Sequence, residues 1–185
     1  YTRTCSCAYQ NQTSLGMVHM PELDYWVKSR PGLELSSNQQ VEQLGINFGA
    51  PGDRMDAKGL FWVNYPSTDE SSTKLFSIAG DKLAYHRSAS LSGGLTWVKN
   101  NSIEGLSEFK IKLSAKKYKL RLYFPKVEAS TFHVEINGKR LLENFSPFSS
   151  TQYKEFAIAG GETKIKLIPT KGRTHISGIS FHAGE

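Results

Sequence analysis

The stretch Phe132-His-Val-Glu-Ile-Asn-Gly-Lys-Arg-Leu-Leu142 decides the fold of this chain. Phe132, Val134 and Ile136 alternate with polar residues, as in a strand with one apolar face. Asn137-Gly138 follows at once. Both residues of a two-residue type I′ turn need a positive φ, which Asn and Gly accept. The stretch therefore predicts a β-hairpin in a sheet that is buried on one face.

The same alternation recurs elsewhere in the chain and extends the β prediction. It appears at 109–113, 118–122 and 164–168. Gly160-Gly161 predicts another hairpin, and the final stretch 175–181 reads as one strand with Gly178 at a bulge. No window of 11 or more residues has a helical period, and the best candidate, 36–43, is polar. Short strands separated by Gly, Pro and Ser turns predict an all-β sandwich or jelly roll.

The length and charge of the chain limit its class. With 185 residues, 38% of them hydrophobic, it suits one packed domain and a short appended piece, and it has no apolar run long enough to span a membrane. The net charge of +6 has two interpretations, a solvated sheet face or a site for an acidic polysaccharide. We favour the solvated face and expect no nucleic-acid partner. Polysaccharide binding requires six basic residues to share one face: Lys110, Lys112, Lys119, Arg121, Lys164 and Lys166.

The N-terminal part differs from the rest. Residues 13–20 and 23–27 read as two strands, and 29–37 as a linker. We therefore divide the chain into an N-terminal β-hairpin and linker extension, 1–35, and a sandwich, 36–185. Cys5 and Cys7 are too close in sequence for an unstrained disulfide, so each is a candidate for pairing with another cysteine. A two-cysteine zinc site is the weaker alternative. The start at Tyr1 without Met suggests a processed or excised chain, and we expect the protein to be secreted, either periplasmic or extracellular.

Six stretches in order, within residues 41–182, resemble malectin and malectin-like domains. They are Leu44-Gly-Ile-Asn-Phe-Gly-Ala-Pro-Gly-Asp53, Gly59-Leu-Phe-Trp-Val-Asn64, Tyr85-His-Arg87, Tyr118-Lys-Leu-Arg-Leu-Tyr-Phe124, Phe132-His-Val-Glu-Ile-Asn-Gly138 and Ile176-Ser-Gly-Ile179. This resemblance implies a malectin-like jelly-roll β-sandwich that binds carbohydrate. It also implies a module that is not an enzyme.

A second resemblance concerns the start of the chain. Cys5-Ser-Cys-Ala-Tyr-Gln-Asn-Gln-Thr-Ser-Leu15 and Met20-Pro-Glu-Leu-Asp-Tyr-Trp26 are similar to the closing segment of the pyrroloquinoline-quinone-type β-propeller proteins of planctomycetes. A malectin-like domain follows the propeller in those proteins. The resemblance implies that residues 1–35 are the tail of an upstream propeller, whose cysteines would pair with Cys5 and Cys7.

Sugar sites in sandwiches combine aromatic faces with planar hydrogen-bonding groups on loops at one end. We read Trp62 and Trp97 as strand residues and favour a core position for both, because aromatic residues in strands usually pack inward, whereas Tyr65 and the run 85–87 are the better candidates. Asn144 stands, like Ser146, where the family often has Asp. The residues that the resemblance assigns to carbohydrate binding are Asp53, Trp62, Tyr65, Tyr85, His86, Arg87, Trp97 and Asn144.

No catalytic or cofactor motif is present in the sequence. It lacks Gly-x-Ser-x-Gly, His-Glu-x-x-His and a cysteine beside a histidine base. Glu135, Glu143 and Glu155 would form a glycosidase pair only by an accident of folding. Asp53 and Asp56 suit either a calcium loop or a salt-bridged loop, and we favour the latter. We therefore expect no cofactor and no metal.

The altered positions 144 and 146 also favour an alternative function. The same sandwich can act as a structural or assembly module that contacts a propeller or a partner subunit. The sequence leaves glycan binding, protein contact and acidic-polysaccharide binding open, in that order of preference.

Overall fold

The computed structural model describes residues 26–27, 43–50, 52–66, 75–87, 95–114, 116–149 and 153–184. These residues form two packed sheets. The first sheet has seven strands: β1 (Trp26–Val27), β2 (Gln43–Phe48), β3 (Asp53–Met55), β4 (Phe61–Tyr65), β7 (Lys117–Tyr123), β10 (Lys154–Ala159) and β13 (Gly178–Ala183). The second has six: β5 (Phe76–His86), β6 (Ser102–Lys112), β8 (Thr131–Ile136), β9 (Lys139–Phe145), β11 (Glu162–Lys171) and β12 (His175–Ile176).

The strands within each sheet do not follow the order of the chain. The first sheet runs β1-β3-β4-β2-β13-β7-β10, and the second runs β12-β6-β11-β8-β9 with β5 on the other side of β6. Pairing is antiparallel except between β2 and β4, which are parallel. A short helix, α1 (Thr96–Lys99), precedes β6, and a single 3-10 turn (Pro147–Ser149) follows β9.

The hairpin predicted at 132–142 is confirmed. Asn137 and Gly138 have φ of 50° and 81°, the left-handed pair that the turn requires. The Asn137 side-chain Oδ1 also accepts a hydrogen bond from the Lys164 backbone N at 2.8 Å, which ties the turn to β11. The strands predicted at 118–122 and 164–168 lie within β7 and β11, and the one predicted at 109–113 lies within β6 except for Leu113.

The predicted Gly160-Gly161 hairpin is wrong, because its two strands lie in different sheets. β10 pairs with β7 of the first sheet, whereas β11 pairs with β6 and β8 of the second. The glycines cross between the sheets and lie against the neighbouring crossing from β6 to β7. Leu113 N donates to Gly161 O at 2.9 Å, and Gly160 N donates to Lys116 O at 2.6 Å. A Cβ at Gly160 would lie 2.7 Å from Lys116 O, so the two crossings pack closely only with glycine there.

The bulge predicted at Gly178 is also a change of sheet. Buried Ser177 separates β12 of the second sheet from β13 of the first. Its backbone N donates to Tyr123 O at 2.8 Å, and its O accepts from Phe48 N at 2.9 Å. Ile176 and Ile179 both remain in the core because the chain turns between them.

The main core lies between the sheets, and a smaller one lies on the outer side of the first sheet. The main core takes the inward residues of both sheets, for example Val63 of β4 and Phe109 of β6. The smaller core contains residues from the sheet and from α1: Leu60, Trp62, Trp97, Val98 and Tyr123. The short helix thus covers the outer face of the sheet. The strand assumed around Trp97 is wrong, since residues 96–99 form a helical turn.

The six basic residues do not share a face. Lys110, Lys112, Lys164 and Lys166 lie on β6 and β11 of the second sheet, whereas Lys119 and Arg121 lie on β7 of the first. Glu108 forms ion pairs with Lys110 and Lys164 at 2.8 and 2.7 Å. The condition set for acidic-polysaccharide binding through one sheet face therefore fails, and the solvated-face interpretation fits.

Several predictions concern residues outside the described part of the chain. Outside the described residues lie Cys5, Cys7, the boundary at residue 35 and residues 36–42 of the polar helix candidate. Gln43, the last residue of that candidate, begins β2. From the N-terminal extension, the structure places only the backbone of β1, which pairs antiparallel with β3 at the edge of the first sheet. No helix in the described part is long and apolar enough to cross a membrane.

Candidate functional site

Two tyrosines meet at one end of the space between the sheets. Tyr65 ends β4 and Tyr85 lies near the end of β5, and their ring centroids are 6.2 Å apart. Both side chains are half-buried, and the two phenols are hydrogen-bonded. Burial and the neighbouring Tyr65 raise the pKa of Tyr85 to about 12. The structure thus brings together two of the residues that were predicted to bind carbohydrate.

Neighbouring aromatic rings fix the orientation of Tyr65. Its ring lies edge-on to Phe48 of β2 and to Phe76 of β5, with centroid distances of 6.2 and 5.5 Å. Tyr65 remains partly accessible, because it lies at the margin of the inter-sheet core. A half-buried, fixed tyrosine face is the type of surface on which a sugar ring stacks.

Arg87 supplies a cation that is near enough to act on the Tyr85 phenol. It is exposed, and its charge acts on the Tyr85 phenol by lowering its pKa, against the larger effect of burial. Gly49, at the end of β2, lies against the same segment: a Cβ there would be 3.0 Å from His86 O and 3.6 Å from Arg87 Cγ. Gly49 has a φ of 92°, so glycine meets both the conformational and the spatial requirement. Tyr65, Tyr85 and Arg87, which we call the tyrosine cluster, thus surround one end of the sandwich.

Trp62 and Trp97 must be removed from the predicted binding residues. Their side chains are 0% and 2% exposed, so neither offers a face to a ligand. They pack edge to face at a centroid distance of 5.5 Å, and Tyr123 lies 5.4 Å from Trp62. The core alternative weighed for both residues is the correct one.

Asp53 and Asp56 act within the β3–β4 region rather than towards a ligand. The Asp53 carboxylate is buried, and its Oδ1 accepts from Asn64 N at 2.9 Å. Asp56 Oδ1 accepts from Lys58 N and Leu60 N, and its Oδ2 accepts from Trp62 Nε1 at 3.1 Å. Three of the four carboxylate oxygens thus accept from N–H donors of the same region, which argues against the calcium alternative. Asp53 is therefore a structural residue.

The remaining predicted positions do not join the tyrosine cluster. Asn144 lies on β9 with a φ of 43°, and its backbone N donates to His133 Nδ1 of β8 at 3.1 Å. His86 follows Tyr85 in sequence but faces the outer side of the second sheet, because successive strand residues point to opposite faces. The predicted trio 85–87 is therefore divided between two surfaces.

The outward side chain of His86 joins two residues that the sequence did not suggest together. His86 Nε2 lies 2.8 Å from Glu104 Oε2, and His175 is the register partner of Glu104. The hydrogen bond from His86 holds the pKa of Glu104 below its usual value. Partial burial lowers the pKa of His175. The distance of 71 residues between Glu104 and His175 leaves no local signal of this contact.

The glutamates considered for glycosidase chemistry are divided between the sheets, with Glu143 on β9 of the second sheet. Glu135 lies on β8 of the second sheet and pairs with Arg140 at 2.9 Å. Glu155 lies on β10 of the first sheet and pairs with Arg121 at 2.6 Å.

Comparisons with known proteins agree on the architecture. Neither a protein-family model nor a curated protein matches the sequence. Among solved structures, a calcium-binding mutant of Bacteroides uniformis beta-glucuronidase 2 matches with 18% identity and a TM-score of 0.62 over 81% of this chain and 19% of that one. The plant receptor-like kinase FER matches with 16% identity and a TM-score of 0.57 over 77% of this chain and 42% of that one.

A third similar structure is the ANX1 ectodomain from Arabidopsis thaliana, with 20% identity and a TM-score of 0.55 over 77% of this chain and 42% of that one. This chain therefore spans less than half the length of each of these proteins. At such identities the likeness concerns the fold. The predicted fold class is confirmed: this chain forms an all-β, malectin-like sandwich.

Proposed function

We propose that this chain is a non-catalytic carbohydrate-binding module of a secreted multidomain protein, and that the tyrosine cluster binds the sugar. The observation that supports this most directly is the pair of half-buried tyrosines at one end of the sandwich, 6.2 Å apart and held by the core. Both belong to the residues that the malectin-like resemblance assigns to carbohydrate binding.

The cluster combines the two kinds of contact that a sugar needs. Tyrosine faces stack on the C–H surface of a pyranose, and they lose little conformational freedom when the rings are already fixed. The Tyr85 and Tyr65 hydroxyls and the Arg87 guanidinium provide hydrogen bonds for hydroxyl or carboxylate groups. We propose a neutral or weakly acidic glycan, because Arg87 is the cation of this cluster.

A glycan array followed by calorimetry tests the proposal. With the best glycan, Tyr65→Ala and Tyr85→Ala should each weaken binding about 10-fold, the effect of losing one aromatic contact. Phe148→Ala is the matched control, since Phe148 is an aromatic residue with 53% exposure that lies outside the cluster. Circular dichroism establishes that each variant remains folded.

Two results would contradict the proposal. One is the absence of binding to every glycan by a folded protein. The other is binding that both tyrosine variants retain while Phe148→Ala loses it, which would move the site to the 3-10 turn after β9.

A second candidate function is contact with a neighbouring domain or subunit. It is favoured by Asn144 and Ser146, which stand where the malectin-like pattern often has Asp, whereas the pairing of β1 with β3 by itself places residues 26–27 in the sandwich sheet. We propose the upstream propeller as that neighbour, on the resemblance of residues 1–35. Hydrogen exchange tests this: protection of 26–27 equal to that of 132–136 would make β1 an integral sandwich strand and contradict a missing propeller. Weak protection that rises when the upstream domain is present would support it.

A further inference from the structure

The outer face of the second sheet carries a group of metal-binding residue types from three adjacent strands. Glu104 lies on β6, with His175 of β12 directly opposite it in the register. On the other side of β6, His86 of β5 is opposite Ser102. His86 therefore lies diagonally across from Glu104, which is two residues further along β6. The two imidazole centroids are 6.0 Å apart. One ligand atom from each of the three residues lies within 4.8 Å of the other two.

This ligand set has a definite chemical preference. Two imidazoles and a carboxylate suit Zn²⁺ and related divalent transition metals, and a site with three protein ligands leaves a position open. Bonds of about 2.0–2.2 Å place tetrahedral ligand atoms roughly 3.3 Å apart. His86 is 55% exposed at its side chain, so its ring can turn by the small amount needed from its present 2.8 Å contact with Glu104.

The surroundings hold the carboxylate in place. Arg173 Nε donates to Glu104 Oε1 at 3.0 Å, which leaves Oε2 facing His86. The same guanidinium donates through Nη2 to the backbone oxygens of Asp81 and Lys82, both at 2.6 Å. Arg173 therefore orients Glu104, as residues around a metal site orient the ligands themselves.

An unsatisfied nitrogen is the second observation at this group. His175 Nδ1 is buried and has no hydrogen-bond partner among the residues that the structure describes. Buried polar atoms in proteins are nearly always paired, so an unpaired ring nitrogen needs an explanation. A metal ion bound at Nδ1 would satisfy this nitrogen directly.

We propose that His86, Glu104 and His175 bind a divalent metal ion of the zinc class. The ion would join β5, β6 and β12 across the outer face of the sheet, with its open position towards solvent. This site is separate from the tyrosine cluster, although His86 adjoins Tyr85 in sequence. The proposal does not depend on glycan binding.

Zinc calorimetry on the EDTA-treated full chain tests the site. We expect one Zn²⁺ per chain near pH 7.5 and an unfolding temperature that rises with zinc concentration, because an ion that binds the folded state stabilises it. Co²⁺ should give the visible absorption of a four-coordinate site. His86→Gln, at an exposed position, and Glu104→Gln should each weaken Zn²⁺ binding by more than about 100-fold, beyond the loss caused by changing a second-sphere residue.

Matched controls distinguish this site from other zinc ligands. His133→Gln changes a histidine on another strand of the second sheet, and Glu108→Gln changes a glutamate on β6 itself. Both should bind Zn²⁺ as the unchanged protein does. The double variant Cys5→Ser, Cys7→Ser should also retain binding.

The proposal is overturned if the folded protein binds no Zn²⁺ at 1 mM, about the weakest affinity of interest. It is equally overturned if His86→Gln retains full affinity, or if the cysteine variant loses it. Loss of binding in His86→Gln with an unchanged melting curve in EDTA supports a metal ligand over a purely structural histidine.

Discussion

Trp62 and Tyr65 lie on the same strand, yet their environments are the opposite of what their directions suggest. Trp62 points away from the space between the sheets and is fully buried, because α1 covers that outer face. Tyr65 points between the sheets and is only half-buried, because the core ends there. The direction of a strand side chain therefore does not decide its accessibility. Coverage by distant segments does, and it separates a structural aromatic from a candidate binding aromatic.

The largest expected effect is on stability, at the covered residue Trp62. Trp62→Ala should lower the free energy of unfolding by about 3–5 kcal/mol, because it removes a large buried ring and its contacts with Trp97 and Tyr123. Urea denaturation measures the change, and Trp62→Phe, which keeps a ring, should cost less. A loss below about 1 kcal/mol would show that α1 does not seal this face.

Gly45 sharpens the comparison by testing how closely the Trp62 ring is packed. Gly45 is opposite Trp62 in the β2–β4 register, and a Cβ there would lie 2.6 Å from Trp62 Cε3. Gly45→Ala should therefore cost about 1–3 kcal/mol through overpacking.

A double-mutant cycle assigns this cost to the ring. In the Trp62→Ala background, Gly45→Ala should lose most of its effect, giving a coupling of about 1 kcal/mol or more. Additive effects would mean that the alanine disturbs the strand itself rather than the contact with Trp62.

The smallest expected effect is at the half-buried Tyr85, where we expect a change in the pH dependence of the unfolding temperature. The pKa of Tyr85 is raised in the folded protein to about 12, from 10.0. The folded state therefore holds the phenol proton more strongly, and its stabilising contribution is complete below about pH 10 and is lost as the pH rises towards 12. Tyr85→Phe should reduce the fall in unfolding temperature across this range.

Tyrosinate absorption provides a second measure of the same group. Arg87 lowers the pKa of Tyr85, so Arg87→Gln should move the Tyr85 midpoint upwards. An unchanged titration would show that Arg87 lies too far from the phenol to serve the same ligand.

Local patterns predicted the strands well and failed at the points where strands change sheet. The alternation at 132–136 and the Asn137-Gly138 turn depend on neighbouring residues alone, so the hairpin was predictable. Gly160-Gly161 resembles a hairpin turn in sequence, but its role depends on the Leu113 and Lys116 backbone that it packs against. A turn between two strands and a crossing between two sheets use the same residues, and only long-range pairing separates them.

The sequence by itself determined the strand faces and the positive-φ hairpin turn. Those features follow from side-chain period and backbone preference, which act over a few residues. Tertiary structure alone decided that Trp62 and Trp97 are core residues, that the basic strands are divided between two sheets, and that Glu104 meets His86 and His175. The physical reason is that coverage and strand pairing depend on segments far apart in the chain, whose approach leaves no periodic signal in either segment.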